Sequence, residues 1–333
     1  MGKMRWWALI LLSYPLSGMG GCQGSEGAGP SLPSRVPSFD ALRAWEDLKA
    51  QVAFGPRVPN TEGHRKAKDY ILQELGKVAD GVTRQEFSHQ GGGRTFALTN
   101  ILATLNPGQR PRILLGAHWD TRPLADQEQD PSKRRQPVPG ANDGASGVAI
   151  LLEIGRALKR QPPPVEVLLA FFDAEDMGGT PYAQEYCLGS RHFARNMGTF
   201  RPDMAIIVDM VGDKDLQIYY ETYSMQAAPN LMRTVFDVAR SLGFTAFHPF
   251  IKYTIVDDHL SLIEAGVPAI DLIDFDYPAW HTLEDTPEQC SLESLRAVGQ
   301  TLLHVLYERL PQGRALKPLA FSSLGGAWGD GAL

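Results

Sequence analysis

The stretch that most constrains the fold is VEVLLAFFDAED, residues 165–176: an apolar run followed by Asp173, Glu175 and Asp176 within four positions. Like charges repel, and burial strips them of water. A sheet core that ends this way therefore needs a cation to hold its acids. Five further β-rich or apolar runs occur along the chain, GVTRQEF (81–87), ALTNILATL (97–105), RILLGAHWD (112–120), MAIIVDMVG (204–212) and VPAIDLIDF (267–275). Helical periodicity separates several of them, in GVAILLEIGRALKR (147–160) and NLMRTVFDVARSLG (230–243). Alternation of this kind predicts an α/β fold, a three-layer sandwich with a central mixed, mostly parallel twisted sheet flanked by helices.

Two helices precede the sheet. FDALRAWEDLKAQVAF (39–54) has helical spacing with Ser38 as a plausible cap, and Thr61 opens a second helix that runs through KAKDYILQEL (66–75). No repeat or composition break divides residues 38–310, which read as a single catalytic α/β domain. Residues 311–333 are Gly-rich and read as a loosely ordered C-terminal tail.

The first residues point to export. Residues 1–5 are basic, residues 6–16 mostly apolar and residues 17–21 mostly small, which predicts a signal peptide over residues 1–21. The apolar run is too short to cross a bilayer. The small-residue run stopping at Cys22 resembles the bacterial lipobox, which implies lipidation of Cys22. Gln23 after it favours an outer-membrane lipoprotein facing the periplasm, with residues 22–37 as a flexible tether. Removing residues 1–21 shifts the net charge from −6 to −8 by losing Lys3 and Arg5. No large basic cluster remains, which argues against nucleic acid as a partner. Cys187 and Cys290 are the remaining cysteines, so there is no disulfide framework, and a single bridge stays open.

Ligand sites in open α/β sheets lie beyond the carboxyl ends of the strands. Here RILLGA leads into His118 and Asp120, VEVLLAFF into Asp173, Glu175 and Asp176, and MAIIV into Asp209. GANDG (140–144) opens a helix and adds Asp143, while AIDLIDFDYPAW leads to Trp280 and His281. Carboxylates and imidazole converging on one rim suit zinc. Taken singly, Asp143 would serve as a helix cap, Asp173 as an acceptor for loop amides, and His281 as a satisfied structural histidine. Their joint placement carries the metal reading, because an uncompensated cluster would destabilise the fold.

GAHWD, GANDGASG, FFDAED, CLGSRHFA, IIVDMVG, VDDHLSLIEAGVPAIDLI and WHTLEDT together resemble the successive motifs of the zinc aminopeptidase-like superfamily, and more closely its glutaminyl cyclase branch. The resemblance covers about residues 38–309. It implies one zinc per chain held by Asp143, Asp176 and His281, with Glu175 as general acid/base. It also implies a hydrogen-bonded acidic pair, Asp209 and Asp257, beside the substrate amine, and Trp280 as the aromatic next to the histidine ligand. The second acid is Asp176 where animal cyclases have Glu. Between FFDAED and CLGSRHF the animal enzymes place a substrate-pocket tryptophan, for which GGTPYAQEY offers Tyr182 or Tyr186.

The implied activity is that of a glutaminyl-peptide cyclotransferase, acting on peptides or proteins with N-terminal glutamine to give pyroglutamate and ammonia. Two other readings stand beside it. In a co-catalytic dizinc aminopeptidase, His118 and Asp209 bind a second metal bridged by Asp143 while Glu175 activates water. In a non-catalytic peptide-binding lipoprotein, Glu175 has no task. VDDH (256–259) and PAWH (278–281) resemble the cyclases specifically.

Overall fold

The computed structural model describes residues 36–310; the expected signal peptide, Cys22, the tether to residue 35 and the tail from residue 311 lie outside the described residues. Helix α1 (Ala41–Ala53) is capped by Asp40, which accepts from Arg43 N, rather than by Ser38. Helix α2 (Glu62–Gly76) is capped by Thr61 as expected, through its hydroxyl and His64 N. Strands β1 (Gly81–Gly91), β2 (Arg94–Leu105) and β3 (Arg112–His118) lead to helix α3 (Ala145–Arg160). Strand β4 (Glu166–Phe172), helix α4 (Leu188–Arg195) and strand β5 (Met204–Asp209) follow. The second half holds β6 (Ile218–Glu221), α5 (Thr222–Ala227), α6 (Pro229–Ser241), β7 (Phe247–Tyr253), α7 (Asp258–Glu264), β8 (Ala269–Ile273) and α8 (Leu292–His304).

Six strands form the central sheet in the order β1-β2-β4-β3-β5-β8. The β1/β2 and β2/β4 pairs are antiparallel, and β4/β3, β3/β5 and β5/β8 are parallel. Successive strand residues enter opposite cores, because side chains alternate along a strand. Val167, Leu169 and Phe171 pack with residues of α1, α2, α3, α6 and α8, whereas Leu168, Ala170 and Phe172 pack with Phe193 of α4 and Leu262 of α7. Each fully buried side chain of this size contributes about 1.5–3 kcal/mol. Coverage of both faces is why these strands are continuous apolar runs, and the expected three layers are present.

Two strands were not legible in the sequence. β6 and β7 form a separate two-stranded parallel sheet with an irregular register, and β7 is exposed along most of its length.

The contact that sets the spacing at the sheet's carboxyl edge is Gly147, near the start of α3. A Cβ there would lie 2.6 Å from the Val208 carbonyl oxygen and 2.9 Å from Ala117 Cβ. Helix α3 therefore lies directly against the last turns of β3 and β5, one residue before His118 and Asp209.

Candidate active site

The carboxyl edge of the sheet collects the acids and imidazoles. His118 ends β3 and Asp209 ends β5; Glu175 and Asp176 follow β4; Asp143 precedes α3; Asp257 caps α7; His281 lies in the loop after β8. All seven are buried. The backbone around them is strained. Of six non-glycine residues with left-handed φ among the described residues, Ala174, Cys187, Met210 and His281 adjoin this edge, at φ 56°, 60°, 46° and 55°. Such conformations cost of order 1 kcal/mol or more each and persist where the surroundings over-determine them.

Asp143, Asp176 and His281 each offer one ligand atom, all within 4.8 Å of one another. His281 Nε2 stands 3.2 Å from Asp176 Oδ1 and 3.8 Å from Asp143 Oδ2. Its Nδ1 faces Asp126 Oδ1 at 3.1 Å, a carboxylate–imidazole brace that aims Nε2 at the acids. Burial opposes the imidazolium, but Asp176 and Asp126 outweigh it and bring the metal-free His281 up to about 9. Asp176 Oδ2 is buried and has no hydrogen-bond partner. An orphaned carboxylate oxygen beside an imidazole and a second carboxylate fits zinc, with the three protein ligands that catalytic zinc sites use.

A second trio shares Asp143. His118 Nε2 lies 3.0 Å from Asp143 Oδ1 and 3.1 Å from Asp209 Oδ1. Burial disfavours a charged His118, but Asp209, Asp120 and Asp143 raise it well above the usual imidazole value.

Glu175 turns the other way from Asp176. The buried Cys187 thiol donates to Glu175 Oε1 at 3.2 Å, and Asp257 lies within 4.8 Å of both. Burial first, then Asp176, Asp257 and Asp258, push Glu175 well above the ordinary carboxyl range, against the opposing charge of His118. Asp209 directs Oδ1 to His118. Besides Glu175, the Asp271 carboxyl lies within 4.8 Å of Asp257, with His259 completing that group. Cys187 and Cys290 are both free thiols, so no bridge forms between them.

Trp280 is half-buried and stacks on His281 with ring centroids 4.0 Å apart. Of the two candidate tyrosines, Tyr182 packs with Phe96, Met177 and Ala183 in a satellite core away from the trio. Tyr186 is the one near it: the Arg122 guanidinium lies 5.5 Å from its ring centroid. Arg122 in turn donates to Asp176 Oδ1 at 3.1 Å. The 178–187 loop folds back and seats the Tyr186 ring against Gly178.

Several supports escaped the sequence. Asp120 accepts from the amides of Glu175 (3.0 Å) and Asp176 (3.3 Å), fixing the turn that separates them. Asp285 accepts from the amides of Asn142 (2.8 Å) and Asp143 (3.2 Å) and from the Tyr277 hydroxyl (2.7 Å). Arg57, fully buried, donates to the carbonyls of Trp119, Pro139 and Gly140 and ties the 139–143 loop to β3. Asp120 and Asp285 stood inside motifs already singled out; Arg57 carried no signal. Asp173 bonds His64 Nε2 and Thr99 N at 2.9 and 2.6 Å, bracing β2 and α2.

Comparison with known proteins agrees with this geometry. Residues 100–306 match peptidase family M28. The bovine glutaminyl-peptide cyclotransferase is 27% identical over 297 residues, covering 76% of this chain and 78% of that protein. The Bacteroides thetaiotaomicron glutaminyl cyclase, solved bound to N-acetylhistamine, is 38% identical with a TM-score of 0.78, covering 82% of this chain and 99% of that one. A Zn-dependent exopeptidase from Parabacteroides distasonis is also 38% identical, with a TM-score of 0.80 over 82% of this chain and 100% of that one. With the family match spanning well over half of its length and these neighbours sharing its fold, the chain belongs to peptidase family M28.

Proposed function

We propose that the protein is a zinc-dependent glutaminyl-peptide cyclotransferase, converting N-terminal glutamine of peptides to pyroglutamate with release of ammonia. The observation that carries the reading is Glu175, a buried carboxyl of raised proton affinity placed beside a zinc-fitting trio and turned away from it. The likeness to glutaminyl cyclases supports it. Asp143, Asp176 and His281 would hold one zinc, which when bound supplies a Lewis acid for the glutamine γ-carboxamide. Glu175, Asp209 and Asp257 form an acidic wall suited to the substrate's α-ammonium. Once the ammonium has given one proton to solvent, the neutral amine attacks the carbonyl carbon of the γ-carboxamide and Glu175 takes a second proton from that nitrogen. A C–N bond forms, Glu175 returns a proton to the amide nitrogen, and the old C–N bond breaks to release ammonia. No water is consumed. A carboxyl with a raised proton affinity suits both transfers.

One observation favours a second reading. The His118–Asp143–Asp209 trio would hold a second zinc, as in a dizinc aminopeptidase. A single assay separates the two: a Gln-initiated peptide and an amino-acid anilide are incubated with the protein, and bound zinc is counted. Ammonia without hydrolysis at one zinc per chain is expected; free amino acid at two zincs would overturn the reading. Glu175→Gln should lower turnover about 10²- to 10⁴-fold while zinc content stays constant. We also place the protein, from residues 1–22, at the outer membrane as a lipoprotein facing the periplasm, held by a lipid on Cys22. Loss of acyl labelling in Cys22→Ala tests that placement.

A further inference from the structure

We infer that substrate residues beyond the N-terminal glutamine lie along a run of aromatic side chains leading away from His281, and that this surface selects apolar side chains several places downstream. The inference rests on the cyclase reading for the glutamine itself.

The run begins at Trp280, stacked on His281. It continues to Phe275 at 5.0 Å between centroids, Tyr253 at 5.6 Å, Tyr219 at 6.1 Å and Phe250 at 5.2 Å. Trp280, Phe275, Tyr253 and Tyr219 are half-buried, so each keeps part of its surface accessible. Phe250 is 55% exposed. At roughly 3.3–3.6 Å per extended residue, Phe250 is no farther from Trp280 than about six or seven residues of peptide.

The exposed apolar groups are not scattered. Five large hydrophobic side chains are exposed among the described residues, and Phe250, Ile251 and Val256 all lie in the segment from β7 to Asp257. The segment that bears the apolar face thus delivers Asp257 to the site. Lys252 sits over the Tyr219 ring at 4.3 Å and is paired with Asp276, so its charge is answered within the surface. Among the described residues β7 pairs with β6 alone, so its other edge has no strand partner and could accept an extended chain. A continuous apolar path with an open strand edge, starting at the ring on His281, fits the downstream part of a bound peptide better than any free-standing partner.

The test uses the zinc-loaded full chain and two peptides, Gln-Gly-Gly-Phe-Leu-Phe-amide and Gln-Gly-Gly-Ser-Ser-Ser-amide. The ratio of their kcat/KM values should be about tenfold or more in favour of the apolar peptide, and should fall towards one in the surface variant Phe250→Ser/Ile251→Ser. Leu42→Ser, which removes an exposed leucine of α1, should keep the ratio. A ratio near one in the parent, or one unchanged in the double variant, would overturn the inference. If neither peptide is cyclised, the cyclase reading fails by itself. Fluorescence anisotropy of the same labelled peptides then decides the surface: tighter binding of the apolar peptide that is lost in the double variant supports it, and equal binding overturns it.

Discussion

Two buried networks of charge in this molecule are built on opposite principles. Beneath α1, α2 and α3, Arg156 bonds both oxygens of Asp47 and, at 2.9 Å, Glu74. Arg160 and Arg156 answer Glu153, and Lys77 answers Glu74. Three acids there meet three cations of the same chain. At the carboxyl edge of the sheet the acids outnumber such partners: Asp176 Oδ2, Asp257 Oδ2 and both oxygens of Asp258 and of Asp271 are buried without a hydrogen bond. The balanced network reads as a brace. The deficient one is suited to ligands that bring positive charge, a metal ion and a substrate ammonium.

The largest test of that contrast is Arg156→Met, which strips the brace of its shared cation. Leaving buried acids unpaired costs about 3–5 kcal/mol, measured by urea unfolding, with turnover per folded molecule held at the parental level. A loss below about 1 kcal/mol would erase the distinction. Next in size are paired neutralisations in metal-free protein near pH 7.5. Asp47→Asn should destabilise by about 1–3 kcal/mol, whereas Asp258→Asn, at a carboxyl that burial and Asp257 push well above its normal range, should raise the melting temperature. Equal signs would break the comparison.

The smallest effect sharpens it. Asp274 is bonded by the amides of Gln217 and Asp276 (2.8 and 3.0 Å), yet burial pushes it up to about 7. Its folded value lies above its unfolded one, so its contribution to stability is full below about pH 4 and is lost as pH rises through 7. Asp274→Asn should therefore flatten the stability profile between pH 4 and 7, by at most about 1.4 kcal/mol per pH unit. An unchanged slope would show that two amides alone satisfy a buried carboxyl here.

What could be read in advance follows from the range of the forces involved. β4 was legible because burial on both faces writes itself as an unbroken apolar run, and its terminal acids were legible because a strand end is a fixed place in this architecture. β6 and β7 were not: one spans four residues, and the other, FHPFIKY, is largely exposed and carries a proline. The metal-fitting trio could be named from motifs. Its supports could not, because Asp126 reaches His281 across 155 positions and Asp285 reaches Asn142 across 143. No local pattern encodes such a pairing. The different surroundings of Tyr182 and Tyr186 have the same origin, since two tyrosines four positions apart in one loop are distinguished only by how that loop folds back.

Gly147 gives the molecule an unusual sensitivity. Where a methyl group is missing, a helix rests on two strand ends, and the separation between Asp143 and the His118–Asp209 pair is inherited from that resting distance. Swapping this residue for alanine would leave every ligand chemically intact while forcing the jaw apart, since the new methyl would meet the Val208 carbonyl at 2.6 Å. The grip on a cation is thus calibrated from behind, by a hydrogen atom standing where other amino acids carry carbon.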